Sequence, residues 1–470
     1  MKKFFAILLS LVLMLSLAVP AMAAETTKVA GVEGNASITV NLPEVPEDAT
    51  ADNTYKIYKV FDATTSGDNI SYKLVSGKTT APAGFSVDTA GNVTYAGGAE
   101  VKELTAADIS AIARYVTEGD LVATVTTTAA DKSFTVDGLP YGYYYITTTT
   151  GSVVTINSTK PDAIVSDKNE IPTLDKKITG ANSADQDGKK ALAQVGTSVE
   201  YTVTIEVKKG AINYEFHDKM ENVLKYNNDV EVKVDNTVIA ETNYNKTTVG
   251  DDTITIKFDN TWISTQVGKT ITITYSATIT SDALHTDPAK NTAWLEYGDT
   301  NSTNKTPVKE TEVYNAKFTV TKKDGAGKPL AGAGFVIKNA GGKYYKYTAA
   351  TTDTVAKIEW VDSIDDATEH ISDAEGNVAP FTGLPNGTYT LVEKTVPAGY
   401  NKADDSTFTI AEHDYTAANL EQDTNVVNKA GSILPETGGM GTTIFYAVGG
   451  VMVAAAVVLL ITKKRMGAEG

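Results

Sequence analysis

The sequence predicts an all-β chain built from tandem β-sandwich domains, and three observations carry that prediction. Thr, Val, Ile and Tyr crowd into short runs that alternate apolar with polar and are separated by Gly, Asn and Asp, the period-2 pattern of half-buried strands. One block recurs: Gly138-Leu139-Pro140-Tyr141-Gly142-Tyr143-Tyr144 returns as Gly383-Leu384-Pro385-Asn386-Gly387-Thr388-Tyr389, 245 residues later. Two domains of related architecture therefore flank a middle one. The length of 470 residues, with no cysteine at all, suits several domains that hold together without disulfides.

Lys2 and Lys3 precede an apolar stretch from Phe4 to Val19, and Ala21-Met22-Ala23 is a small-x-small cleavage site. Residues 1–24 therefore read as a secretory signal peptide, cut after Ala23 or Ala24. The first domain (25–170) opens with Ser37-Ile38-Thr39-Val40 and Tyr55-Lys56-Ile57-Tyr58-Lys59-Val60-Phe61. One helix interrupts it: Thr105 caps, Asp108 stands three residues on, and Ile109, Ile112, Ala113 and Val116 share a face. The middle domain (171–310) carries Leu174, Lys176 and Ile178 in phase, then Tyr201–Val207, then Tyr214, Phe216, Asp218 and Met220 in phase. Half-buried strands at Ile254–Phe258 and Ile271–Tyr275 follow, and Asn291, Ala293, Leu295 and Tyr297 close it. The last domain (311–430) runs from Phe318-Thr319-Val320-Thr321-Lys322 to Val426-Val427-Asn428. In segment 431–470, eighteen uncharged residues from Ile444 to Ile461 precede Lys463-Lys464-Arg465. As a helix they span about 27 Å, enough for a bilayer core with the basic residues on the cytoplasmic side.

A net charge of -17 argues against nucleic acid as a partner, since that requires a basic face, and suits a solvated extracellular surface. His217, His285, His370 and His413 are scattered without metal-ligand spacing, so no metal or other cofactor is expected. A surface hydrolase is a weak reading, because no Ser/His/Asp order or metal set is present.

Strand alternation aims charged and amide side chains into two cores. In the last domain Lys322 shares a face with Phe318 and Val320, Glu393 with Tyr389 and Leu391, and Asn428 with Val426. Burying such groups is expensive unless they serve one another. With Lys322-Lys323-Asp324, Leu330-Ala331-Gly332-Ala333-Gly334-Phe335 and the Tyr389-x-Leu391-x-Glu393…Pro397-x-Gly399-Tyr400 box, this domain resembles the CnaB-type sandwich. That resemblance implies a spontaneous isopeptide bond between Lys322 and Asn428, with Glu393 as the catalytic acid. Desolvation would leave the lysine a neutral nucleophile, and the buried acid would polarise the amide as ammonia leaves. The plain reading is a Lys322 that snorkels to water and pairs ionically with Glu393. In the middle domain Lys176, Asn291 and the acid Asp218 form a second set. They resemble the isopeptide-forming middle domain of fimbrial shaft proteins, an Ig-like (CnaA/CnaB-type) sandwich; Lys177 falls outside, and His217 is expected to be a solvated neighbour. In the first domain the aligned repeat puts Thr148 where Glu393 stands. No cross-link is expected there, which would make it the least stable of the three and the one free to rearrange during assembly.

Leu434-Pro435-Glu436-Thr437-Gly438 sits just before the apolar run, and Pro435 keeps it extended. Motif, span and basic tail together resemble a Gram-positive cell-wall sorting signal, which implies sortase cleavage between Thr437 and Gly438 with Thr437 passing to the enzyme. Between the first two domains Ala163–Pro172 contains Val165, Lys168 and Asn169. These match part of the shaft-pilin motif Trp-x-x-x-Val-x-Val-Tyr-Pro-Lys-Asn, without its Trp, Tyr and Pro. Lys168 is taken as the linking lysine, with Lys160 as its rival and two ordinary linker lysines as the plain alternative.

The resemblance as a whole is to the major (backbone) pilins. It implies a covalent homopolymer on the cell surface, wall-anchored as a pilus that supports adhesion, with no enzymatic activity beyond autocatalytic bond formation. Implied partners are a pilin-specific sortase, identical subunits, ancillary pilins, peptidoglycan and a possible host receptor. The alternative is a monomeric wall-anchored adhesin or a minor basal pilin.

Overall fold

A computed structural model describes residues 24–45, 53–66, 69–96, 104–149, 153–157, 162–180, 184–280, 285, 287–299, 302–431 and 440–466. The expected signal peptide up to residue 23, the pentapeptide Leu434–Gly438 and Lys160 lie outside them.

In the first domain the long strand Asn53–Ser66 organises one sheet, with Leu121–Thr127, Asn69–Leu74 and Gly142–Thr148 among its partners. A three-stranded sheet, in the order Asp162–Ser166, Ala36–Asn41, Ser133–Leu139, completes the fold. Ile38, Val40, Tyr55, Ile57, Val125, Phe134, Val136 and Ile146 make the core. The helix forms over Ala106–Tyr115 and starts as the sequence dictates. The Thr105 hydroxyl accepts from the Asp108 N–H at 3.2 Å and the Asp108 carboxylate accepts from the Thr105 N–H at 2.9 Å, so two orphan donors of the first turn are satisfied. Its Ile112 is fully buried against Tyr58, Phe61 and their neighbours.

The middle domain has two facing sheets. One carries Thr173–Thr179, Ser198–Glu206, Thr270–Ile279 and Glu231–Val234 in that order. The other carries Lys190–Leu192, Lys309–Tyr314, Ala289–Asp299, Glu215–Met220, Ile254–Phe258 and Tyr244–Thr247. Lys309–Tyr314 returns to this sheet after Pro307, which cannot donate to a ladder, so the seam with the last domain falls at Asn315, a little beyond 310. The last domain sets the three-stranded sheet Asn377–Leu384, Ala316–Asp324, Glu421–Asn428 against a sheet containing Tyr344–Thr348, Gly334–Asn339, Gly387–Thr395 and Ser406–Ile410.

The sequence repeat is a repeat of topology. In both the first and last domains the opening strand pairs parallel with the closing one: Ser37 faces Asp162, and Lys317 faces Glu421. In both, the antiparallel partner bulges at the repeated glycine. Gly138 and Gly383 have φ of +70° and +71°, where a side chain is strained. The repeated tyrosine then locks the turn. Tyr144 donates to the Pro140 carbonyl at 2.6 Å and Tyr389 to that of Pro385 at 2.9 Å.

Both junctions are built. Between first and middle domains, the Asn304 amide donates to Asn53 Oδ1 at 2.7 Å and Thr149 Oγ1 at 2.8 Å, while Thr149 donates to Asn53 Oδ1 at 2.9 Å. All three residues are buried. Between middle and last domains, Trp360 Nε1 donates to Gln194 Oε1 at 2.7 Å and Tyr415 donates to the Lys190 carbonyl at 3.0 Å, and one apolar cluster runs through both. Replacing Asn304 with Ala removes both of its buried hydrogen bonds across the first junction, a cost of about 1–3 kcal/mol. The expected result is a wider spread of domain orientations in small-angle scattering with unchanged strand content; an unaltered scattering curve would count against the latch.

The helix Met440–Met466 contains a stretch, Ile444–Lys464, with a mean hydropathy of 2.6 and no burial within the chain. By length and composition it can cross a membrane.

Candidate cross-linking sites

Alternation delivers the middle set to one spot. The burial pattern of Thr173–Thr179 turns Leu174, Lys176 and Ile178 inward and leaves Lys177 exposed. Lys176, Asp218 and Asn291 are all at 0% exposure. Lys176 comes from one sheet, Asp218 and Asn291 from the other, so a bond between lysine and asparagine would fasten the two sheets together. Asn291 lies on Ala289–Asp299, which is not the closing strand of the domain, since Lys309–Tyr314 follows it.

Lys176 Nζ is paired with Asp218 Oδ2 and donates to the Tyr275 hydroxyl at 2.5 Å, while Tyr275 donates to that same Asp218 oxygen. The ammonium also lies 5.0 Å and 5.1 Å from the ring centres of Tyr201 and Tyr275. Burial pushes the lysine down and the aspartic acid up, each against the pull of the other's charge. Both shifts favour the neutral pair, a free amine beside a protonated acid. Asn291 is close enough to bias Asp218 and Tyr275, yet neither its amide nitrogen nor its oxygen has a hydrogen bond of good geometry, and Asp218 Oδ1 is likewise open. A buried amide left this way is costly as a structural element and suited to be an electrophile.

These shifts have a pH signature. A lysine whose folded value lies below its ordinary 10.5 sheds a proton on folding, so stability rises with pH until 10.5 is reached. An aspartate raised above 3.8 takes up a proton on folding, so stability falls as pH rises from 3.8 through the folded value. In the pair the proton leaving the lysine is the one the acid gains, and the slopes cancel near neutrality. Asn291→Ala is therefore expected to melt at nearly constant temperature through the neutral pH range. Asp218→Asn, with the lysine alone, should gain up to about 1.4 kcal/mol per pH unit. Thermal melts across that range check both; parallel slopes in the two variants would contradict the pairing.

The last domain arranges its set differently. Lys322 and Asn428 stand on neighbouring parallel strands, with Lys322 opposite Val426 and Asp324 opposite Asn428. Both are buried, as is Glu393 from the facing sheet. Glu393 Oε1 accepts from the Asn428 amide nitrogen at 2.7 Å and Oε2 from the Ala403 N–H at 2.7 Å. The acid is thus seated at the nitrogen that would depart. Lys322 does not pair ionically with Glu393; it donates to the carbonyls of Lys323 at 2.7 Å and Val426 at 3.3 Å. Burial lowers its pKa, opposed by the charges of Glu393 and Asp324.

In the first domain Thr148 is buried opposite Tyr55. Counted from the paired alanines Ala36 and Ala316, Leu42 falls where Lys322 stands. Counted along the parallel strands, Asn169 falls where Asn428 does. The first domain therefore lacks the lysine as well as the acid, which aligning its opening strand could have revealed.

Lys168 is exposed between two buried anchors. Asp167 accepts from the Tyr55 hydroxyl at 2.8 Å and from the Asn169 N–H at 3.0 Å, and Asn169 packs so tightly on Gly210 that a Cβ there would lie 2.0 Å from its side-chain oxygen.

Two features depart from the sequence reading. His217, expected in solvent, is only 6% exposed: its ring stacks on Trp294 at 5.0 Å and Nδ1 meets Asp252 at 2.7 Å, so the outer sheet face covers it. Tyr201 and Tyr275, which wall the middle site, were not singled out, although Tyr275 is in phase with Ile271 and Ile273 and a buried phenol needs a partner. Among the described residues no His, Cys, Asp and Glu grouping could hold a metal ion.

Residues 316–424 match the SpaA family model, described as a prealbumin-like fold domain. No curated protein matches the chain. Among solved structures, the T6 backbone pilin of serotype M6 Streptococcus pyogenes, which has a modular three-domain structure, superposes with a TM-score of 0.56. The identity is 17%, over 80% of this chain and 81% of that one. The full-length RrgB pilus protein of Streptococcus pneumoniae gives 0.46 at 17% identity over 87% and 100%. BcpA, the major pilin subunit of Bacillus cereus, gives 0.43 at 16% over 84% and 99%. The last domain thus has the prealbumin-like fold, and the 80% of the chain that superposes shares the fold of the T6 pilin.

Proposed function

We propose that this chain is the shaft subunit of a covalently polymerised surface pilus. The observation that carries the reading is the pair of buried lysine–acid–asparagine sets in consecutive sandwiches, Lys176–Asp218–Asn291 and Lys322–Glu393–Asn428. Neither set is explained by packing alone, and both suit spontaneous amide formation with loss of ammonia. The likeness in fold to a backbone pilin and the membrane-length apolar helix after Leu434–Gly438 support the same reading. In it a sortase joins Thr437 of one subunit to Lys168 of the next, and the cross-links route tension through covalent bonds. The bases of the fibre attach to peptidoglycan, and ancillary subunits share the assembly. A surface extract run on a denaturing gel tests it. A ladder of high-mass polymers is expected; one discrete wall-linked band means a monomeric adhesin instead.

A further inference from the structure

The middle domain brings a second free lysine to the exposed Lys168. The Glu170 N–H donates to the Lys209 carbonyl at 2.9 Å. Asn169 packs on Gly210, whose φ of +89° and missing side chain let the two segments close. Segments joined in this way run about 5 Å apart, so backbone contacts alone fix Lys209 beside Lys168. Both lysines are exposed. The neighbouring Lys208 is spent on Glu206 at 2.9 Å, whereas no ion pair among the described residues engages Lys209. An exposed, unpaired cation is ordinary by itself; this one matters for what has to approach it.

Between Lys429 and Thr437 the only charged residue is Glu436. Its side chain branches from the backbone roughly 5 Å before the Thr437 carbonyl carbon, a spacing like that of the two segments at the junction. We propose that Lys209 is a positioning residue of the acceptor site. Its ammonium pairs with the Glu436 carboxylate of an incoming copy of this chain and so brings the Thr437 carbonyl to Lys168 Nζ. This rests on the reading of Lys168 and Thr437 as the linked residues. In the joining step the Lys168 amine attacks the Thr437 carbonyl. The amide C–N bond forms as the bond to the sortase breaks, and the proton lost by the amine leaves with the enzyme's nucleophile. Lys209 touches none of these atoms. Its charge acts against a background that repels, since each copy carries -17, and a local pairing of opposite charges then decides where two copies meet. The wall nucleophile has no Lys209 beside it, so the contact biases the acyl group toward polymer.

The test measures the ratio of polymer to wall-linked monomer in surface extracts of cells making the full chain. Lys209→Glu is expected to lower that ratio about fivefold, the scale of one exposed ion pair, and Lys209→Arg to leave it unchanged. Glu436→Lys added to Lys209→Glu should raise the ratio again. The ratio is taken over processed chains, so it does not depend on how well the enzyme cuts the altered motif. An unchanged ratio in Lys209→Glu overturns the proposal. So does an equal fall in Lys209→Arg, which means that the side chain only packs, or a charge swap that recovers nothing. A ladder that is absent from the unmodified chain, or that survives Lys168→Ala, is a different result: it removes the proposed linkage itself.

Discussion

The chain from residue 25 onward is expected to weigh two ammonia molecules less than its sequence, one for Lys176 with Asn291 and one for Lys322 with Asn428. Asp218→Ala should restore one equivalent and Glu393→Ala the other. Each acid is buried at the reacting groups, and Glu393 already holds the departing nitrogen at 2.7 Å. Without an acid the amide nitrogen leaves as a poor leaving group. Each bond closes a loop of more than a hundred residues, which by chain entropy is worth about 4–5 kcal/mol, on the scale known for disulfides. In Asp218→Ala the buried Lys176 also loses its ionic partner, a further penalty. Loss of either bond should therefore open its domain to trypsin, while the first domain contributes no mass deficit in any variant. An intact mass equal to that of the unmodified sequence would remove both sites at once. A three-ammonia deficit would mean that Leu42 and Thr148 had misled us.

On the proposed assembly, Lys168→Ala is expected to abolish the polymer ladder while leaving wall-linked monomer, since a sortase-bound Thr437 would then find only the wall nucleophile. The geometry favours Lys168 because its neighbours are fixed: Asp167 by Tyr55 and Asn169 against Gly210. A nucleophile presented from a rigid base loses little conformational freedom on reaction. Lys160→Ala should leave the ladder intact. A ladder that survives Lys168→Ala and disappears with Lys160→Ala moves the linkage to the other lysine; a ladder indifferent to both is incompatible with either.

Much of the fold was legible because alternation is a local signal. The burial of Lys176, Asp218, Lys322 and Glu393 follows from the phase of Ile178, Phe216, Val320 and Leu391 without knowledge of what they face. What could not be read was pairing across sheets. That Asn291 comes from a strand before the closing one, that Asn304 reaches back to Asn53, and that His217 is covered by Trp294 all depend on which strands lie side by side. Period 2 says nothing about that. Tyr275 illustrates the limit: its burial was readable, whereas its place between Lys176 and Asp218 depends on the distance between sheets.

The parallel pairing of opening with closing strand in the first and last domains governs when each domain can be finished. A chain is synthesised from its N-terminus, so Ala316–Asp324 must wait on one side until Glu421–Asn428 exists. Its contacts are among the longest in sequence that the domain makes, and long-range contacts form late. Lys322 therefore meets Asn428 only after every intervening strand has had its chance to find a place. The proposed cross-link would thus act as a completion check. A truncated or stalled domain has no asparagine to react with, keeps its lysine unspent and stays open to proteases. Only a domain with all of its strands could be sealed by the proposed bond, and that sealing would be irreversible.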